Sequence, residues 1–168
     1  LALSNFGGTT VNVYTINSNG TYTSNTIIEN LYHPNSVSLN TDGSILAITS
    51  EYSTANVYTR NSNGTYTLNK TIDGFTNPTG ISMNQDGSVL AICDYDENIA
   101  KIYKNGTYSS TISGLSNPTD LYMTSDARLI AISNGNTANV YQVTQGGTYT
   151  ILSTINGLNN ANGVCLSS

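Results

Sequence analysis

The sequence predicts an all-β fold, a four-bladed β-propeller of four-stranded blades closed by pairing of its N- and C-terminal strands. Three observations carry this. One apolar-polar pattern returns along residues 1–168, a single propeller domain, with repeats starting near residues 1, 46, 90 and 130. The apolar positions alternate with period two, the signature of strands and not of helices. The first segment reads as the second strand of a blade and the last as a first strand, so joining them completes a blade. A repeat of about forty to forty-five residues suits one four-stranded blade.

Each repeat begins with a large-small-large triplet: Leu1-Ala2-Leu3, Leu46-Ala47-Ile48, Leu90-Ala91-Ile92 and Ile130-Ala131-Ile132. Blades stack face to face, so both faces of such a strand are buried and one interface is narrower than the other. A polar loop follows, then a third strand ending in Tyr14, Tyr58, Tyr103 or Tyr141. The fourth strand opens at Thr21-Tyr22, Thr65-Tyr66, Thr107-Tyr108 or Thr148-Tyr149. The two-residue turn Asn105-Gly106 supplies positive φ and sets Tyr103 opposite Tyr108. An inter-blade loop such as Asn77-Pro78-Thr79-Gly80 leads to the next first strand, Ile81-Ser82-Met83, and to the turn at Asp86-Gly87. At the chain end Gly163-Val164-Cys165-Leu166 aligns with Gly80-Ile81-Ser82-Met83. Pairing that segment with Leu1 to Asn5 leaves no open sheet edge, the usual remedy for edge aggregation.

Composition narrows the function. Charged residues make up 9% of the chain, against ~25% in ordinary soluble domains. Ten acidic side chains face five basic ones, a net charge of −5, and no Lys/Arg cluster offers a footprint for phosphates. Nucleic acid is therefore not expected as a partner. No apolar run approaches a membrane span of ~20 residues, and no membrane insertion is expected.

The run Asn77-Pro78-Thr79-Gly80-Ile81-Ser82-Met83-Asn84-Gln85-Asp86-Gly87-Ser88-Val89-Leu90-Ala91-Ile92, with its counterpart from Asn35 to Ile48, resembles the repeat of NHL- and YVTN-type propellers. The resemblance covers essentially the whole chain. It implies a scaffold shared by surface-layer proteins, adhesive ectodomains and lactonase-like enzymes. The chain departs from the pattern where Ala161 replaces Pro and where Asp126-Ala127 replaces Asp-Gly.

Candidate chemistry is sparse. The single His, His33, stands where other repeats carry Asn77, Asn117 and Asn160. It reads as a loop variant without the partners that a general base requires. Asp42, Asp86 and Asp126 share one repeat position and read as turn residues. Cys93 and Cys165 fall on opposite blades of a four-blade ring, beyond the roughly 7 Å reach of a disulfide, and read as two separate thiols. No cofactor is expected. The alternative is calcium at Asp94, Asp96 and Asn98, which have oxygen-ligand spacing but lack the Gly and distal Glu of a full calcium loop. Four sequons, at Asn19, Asn63, Asn69 and Asn105, make glycosylation an expectation, with three of them at one hairpin position.

The loops after the second strands recur in place but not in sequence, which marks them as the face where function was added. Phe6, Tyr52, Asp94, Tyr95 and Asp96 are the candidate binding residues there. The resulting expectation is a non-enzymatic extracellular or cell- or virion-surface propeller that binds a protein or glycan. A structural subunit self-assembling into a homo-oligomer, filament, surface layer or virion is the first alternative, and a lactonase-like hydrolytic propeller the second.

Overall fold

A computed structural model describes residues 1–51 and 53–167; Tyr52, one of the expected binding residues, lies outside them. The described residues form four antiparallel sheets and no helix. Blade one comprises β1 (Ala2–Ser4), β2 (Val11–Ile16) and β3 (Tyr22–Ile28). Blade two comprises β4 (Pro34–Leu39), β5 (Ile45–Ser50), β6 (Thr54–Arg60) and β7 (Tyr66–Ile72). Blade three runs through β8 (Pro78–Met83), β9 (Val89–Asp94), β10 (Ile99–Lys104) and β11 (Thr107–Ile112). Blade four runs through β12 (Pro118–Met123), β13 (Leu129–Asn134), β14 (Thr137–Val143) and β15 (Tyr149–Ile155). In each of the last three blades the strands lie side by side in chain order.

The large-small-large triplet behaves as its pattern requires. Leu46, Ile48, Ile92, Ile130 and Ile132 are fully buried, as are the alanines between Leu46 and Ile48 and between Leu90 and Ile92. The core is not one mass but three interfaces between consecutive blades. Ile28 and Leu31 of blade one share a cluster with Leu46 and Ile48. Ile72 and Phe75 of blade two share one with Leu90 and Ile92, and Ile112 and Leu115 of blade three share one with Ile130 and Ile132. Burying each such side chain contributes about 1.5–3 kcal/mol, so every interface is held by several equivalent increments.

Tyr103 faces Tyr108 in register, with ring centroids 6.1 Å apart in an edge-on arrangement. The third and fourth strands of all four blades shift register immediately before Tyr14, Tyr58, Tyr103 and Tyr141. A bulge repeated at one position bends every outer hairpin alike. The inner strands approach closely: a Cβ on Gly80 would lie 2.7 Å from the Asp120 Cα, so only glycine fits between β8 and β12.

The termini differ from the expected closure. β1 pairs with β2, blade one has three strands, and residues 163–167 form no strand. The end segment lies instead along blade four, where Thr119 Oγ1 donates to the Ala161 carbonyl at 2.7 Å and the Val164 N–H donates to Asp120 Oδ2 at 3.2 Å. Polar side chains along the inner strands hold it one blade-step beyond β12, at the opposite end of the arc from β1.

Candidate functional site

The loops after the second strands and the inter-blade loops share one face, tied by backbone bonds. Glu51 N–H donates to the His33 carbonyl at 3.1 Å, and Tyr95 N–H to the Asn77 carbonyl at 2.9 Å. In blades three and four the last residue of the second strand also caps the inter-blade loop with its side chain. Asp94 Oδ2 accepts the Thr76 N–H at 2.8 Å and Oδ1 the Asn77 N–H at 3.0 Å. Asn134 does the same for the Ser116 N–H.

This corrects the place given to Asp94. Its side chain is fully buried, and its oxygens point at backbone donors, so it holds the loop and does not present itself to a ligand. Two of the three side chains of the calcium alternative, Asp94 and Asn98, have oxygens engaged by backbone donors, whereas the Asp96 carboxylate is exposed. Asn98 Oδ1 accepts the Asn117 N–H at 2.7 Å, while its amide reaches the Asp96 carbonyl. Among the described residues no group of three His, Cys, Asp or Glu side chains converges as a metal site.

Blade two departs from this pattern. Ser50 takes the capping position but is too short to cap; it is 4% exposed and its hydroxyl has no hydrogen-bond partner among the described residues. The neighbouring Glu51 crosses to the inter-blade loop instead, bringing Oε2 to 2.7 Å from His33 Nδ1. Tyr32 stacks on the His33 ring, with centroids 4.6 Å apart and planes 13° from parallel. Phe6, from blade one, meets the same ring at 6.0 Å and 59°. Beside the pair opens a cavity of about 430 Å³, lined by Asn30, Leu31, Tyr32, Ser50, Glu51 and Thr54, with Asn56 at its edge. In the tautomer with Nδ1–H, His33 donates to Glu51 Oε2, and the ring lone pair lies on Nε2. His33 is about four-tenths exposed, so a solvent molecule reaches it.

His33 sits at φ 40°, near the values of 52° and 51° at Asn117 and Asn160, which explains why Asn is the usual residue there. The sequence reading took His33 as a loop variant without partners; the structure supplies both a carboxylate and a stacked ring. Of the expected binding residues, Phe6 belongs to this cluster, whereas Tyr95 is half-buried and Asp96 exposed on blade three's loop. Glu51 and Tyr32 were missed. Their signal was the failure of Glu51-Tyr52-Ser53 to repeat the motif of its counterparts.

The opposite face carries the Asp-Gly turns. Asp42, Asp86 and Asp126 each accept a backbone N–H two residues on, at 2.8–3.0 Å, which confirms turn chemistry. Asn19 and Asn63 occupy equivalent exposed hairpins, where each Oδ1 accepts the N–H and hydroxyl of the following Thr. Asn105 sits in a hairpin turn at φ 48°, and Asn69 is exposed on β7. Cys93 is buried and Cys165 exposed, and both are free thiols. Burial, with the Asp120 and Asp94 charges behind it, pushes the Cys93 thiol well above its ordinary value.

No known protein family and no curated protein matches the chain by sequence. Solved structures match its fold. A periplasmic gluconolactonase from Pseudomonas aeruginosa superposes with a TM-score of 0.75 at 16% identity, covering 96% of this chain and 52% of its own. A putative 6-phosphogluconolactonase from Bacteroides uniformis gives 0.75 at 14%, covering 92% and 54%. A protein from Lactobacillus plantarum gives 0.74 at 17%, covering 92% and 53%. The chain thus spans about half the length of the structures it matches. These likenesses establish a propeller repeat fold. They also count against the expectation of a non-enzymatic binding or structural module, because two of these three neighbours are named as lactonases.

Proposed function

We propose that the chain is a lactonase-like hydrolytic propeller acting on a neutral sugar lactone at the His33–Glu51 pair. The observation that carries this is the 2.7 Å contact between His33 Nδ1 and Glu51 Oε2 inside an aromatic cluster beside a cavity. A base within reach of water and oriented by a carboxylate is the minimum for opening an ester-like ring. His33 Nε2 takes a proton from water as the water oxygen bonds to the lactone carbonyl carbon. The ring C–O bond then breaks, and the leaving ring oxygen recovers that proton. The product is an open-chain hydroxy acid, with no other reactant consumed.

The aromatic faces of Phe6 and Tyr32 suit the apolar face of a sugar ring, and Asn30, Thr54 and Asn56 suit its hydroxyls. The cavity lining contains no Lys or Arg, which favours an uncharged lactone over a phosphorylated one. A location outside the cytoplasm is supported by the periplasmic neighbour and by exposed sequons at Asn19, Asn63 and Asn105, which the same proposal takes as glycan acceptors where the host glycosylates. Kinship with NHL- or YVTN-type repeats rests on the repeat motif alone.

Proton release from glucono-1,5-lactone and from its 6-phosphate, corrected for spontaneous opening, tests the reading. Hydrolysis of the neutral lactone that falls at least 10²-fold in His33→Asn is the expected result. A folded chain that opens neither lactone, or one indifferent to His33→Asn, overturns it.

A further inference from the structure

Hairpin length decides whether an aromatic ring fills the groove between two blades. In blades two and four the loops 61–65 and 144–148 join the third strand to the fourth, and Tyr66 and Tyr149 open the fourth strand. Tyr66 pairs with Arg60 and Tyr149 with Val143, two residues beyond Tyr58 and Tyr141 on the third strands. Each ring packs into the interface with the preceding blade. Each hydroxyl donates at 2.6 Å to a turn carbonyl of its own blade, Gly43 for Tyr66 and Ala127 for Tyr149. Burial raises the Tyr66 hydroxyl and pushes Tyr149 up to about 12, so both remain donors.

Blade three lacks this ring. Its hairpin is Asn105-Gly106 alone, and Tyr103 pairs with Tyr108 as Tyr58 pairs with Leu68 and Tyr141 with Ile151. Tyr108 aligns with Tyr66 by sequence but takes the register place of Leu68 and Ile151. All three are at least half exposed, and the Tyr108 hydroxyl lies 3.0 Å from Thr111 Oγ1. The register place of Tyr66 falls to Gly106, which has no side chain. A cavity of about 480 Å³ opens there between blades two and three. Ile45, Val57 and Ile72 wall one side, and Leu90 and Tyr103 the other. Its lining runs from Gly106, where the missing ring would be rooted, to Gly87, the counterpart of Gly43 that its hydroxyl would reach. Among the described residues no donor engages the Gly87 carbonyl.

We propose that this cavity binds a small neutral phenol, with its ring between the apolar walls and its hydroxyl donating to the Gly87 carbonyl. The ligand supplies from solution the group that blades two and four carry on their own chain. The backbone of Tyr66 is attached para to its hydroxyl, so a para substituent on the ligand points outward past Gly106. Lys70 Nζ donates to the Gly106 carbonyl and bridges the outer rim, which favours a free small molecule over a polypeptide segment. Lys70 and Asp86 are the charged groups of the lining and offset one another, so the site calls for no ionic ligand. The volume falls in the range of small-molecule sites. The cavity opens beside the Asp86-Gly87 turn, away from the His33 loop face, and its ligand is independent of lactone chemistry.

Titration of the parent chain with p-cresol, followed by amide chemical shifts, tests the proposal. Saturable shifts at Gly87, Ser88, Tyr103 and Gly106 are the expected result. 4-Methylanisole keeps the ring but lacks the donor, and should bind about tenfold more weakly. Replacing Gly106 by the hairpin sequence of residues 61–66 sets a Tyr in the register of Tyr66. That chain should keep its strand content by circular dichroism and lose the p-cresol shifts. Val57→Phe narrows the same cavity from the facing wall and is read in its place if the grafted chain does not fold. No saturable shift at Gly87 and Gly106, equal binding of 4-methylanisole, or undiminished p-cresol binding by the folded variant overturns the proposal.

Discussion

Glu51 Oε2 lies 2.7 Å from His33 Nδ1, and this pair takes the place of the loop cap that Asp94 and Asn134 provide one and two blades further on. A side chain that elsewhere holds the backbone is replaced by Ser50, whose hydroxyl reaches no partner among the described residues. The cap is lost, and a contact between an imidazole and a carboxylate is gained. Residues that depart from a repeat are free of its packing rules, and here three of them, His33, Ser50 and Glu51, depart together.

The pair has separable parts. Under the proposed function, Glu51→Gln keeps the shape but removes the carboxylate that orients His33, and should lower kcat on the order of 10²-fold with little change in KM. Phe6→Ala removes a ring face and should raise KM while leaving kcat nearly unchanged. Steady-state kinetics on a neutral lactone distinguishes the two; a matched loss in both variants would place Phe6 in the chemistry itself.

Asp94 should behave as a structural residue. Asp94→Ala leaves the N–H groups of Thr76 and Asn77 without their carboxylate acceptor and should cost about 1.5–3 kcal/mol in urea unfolding. Asp94→Asn retains one acceptor and should cost less. Lactone turnover by the surviving folded fraction should be unchanged, since the proposed site lies on blade two.

Ala127 occupies the left-handed region at φ 57°, where its counterparts Gly43 and Gly87 sit at 68° and 76°. The left-handed conformation costs a residue with a Cβ roughly 1–2 kcal/mol, partly offset because glycine is freer in the unfolded chain. Ala127→Gly should therefore stabilise the fold by about 0.5–1 kcal/mol, read as a higher urea midpoint at unchanged slope. A lower midpoint would mean that the methyl group's packing outweighs the backbone strain.

Acid should weaken the turns of the opposite face. The Ser44 hydroxyl and N–H hold the Asp42 carboxyl below its ordinary range, Ser88 does the same for Asp86, and the Arg128 N–H lowers Asp126. A carboxyl depressed on folding binds protons more readily when unfolded. Its contribution is present above the ordinary carboxylate value, near ~4, and is lost as pH falls through the lower folded value. Asp120 opposes this, since burial raises it and protonation relieves its desolvation. Urea midpoints should fall between about pH 4 and pH 2, and Asp42→Asn, Asp86→Asn and Asp126→Asn combined should flatten that fall.

Much of this architecture was legible because a repeat writes the same constraint several times. The Leu46-Ala47-Ile48 triplet, the Asp86-Gly87 turn and the Tyr103–Tyr108 pair follow from alternation and turn chemistry, which are local. Asp94 was misjudged for a related reason. Acid-rich spacing reads the same whether the oxygens face solvent or turn inward onto Thr76 and Asn77.

Local pattern alone determined that this chain forms β-blades, where their turns fall and which faces are apolar, because side-chain period and backbone preference act over a few residues. Only tertiary structure decided how far the arc curves and what meets across it. The sequence phase that joined Gly163 to Leu1 says nothing of distance, whereas the inner-strand ladder carries Ala161 and Val164 past Thr119 and Asp120, one blade-step beyond blade four. His33 and Glu51, likewise, become a pair only where strand packing brings two loops of one face within hydrogen-bond reach.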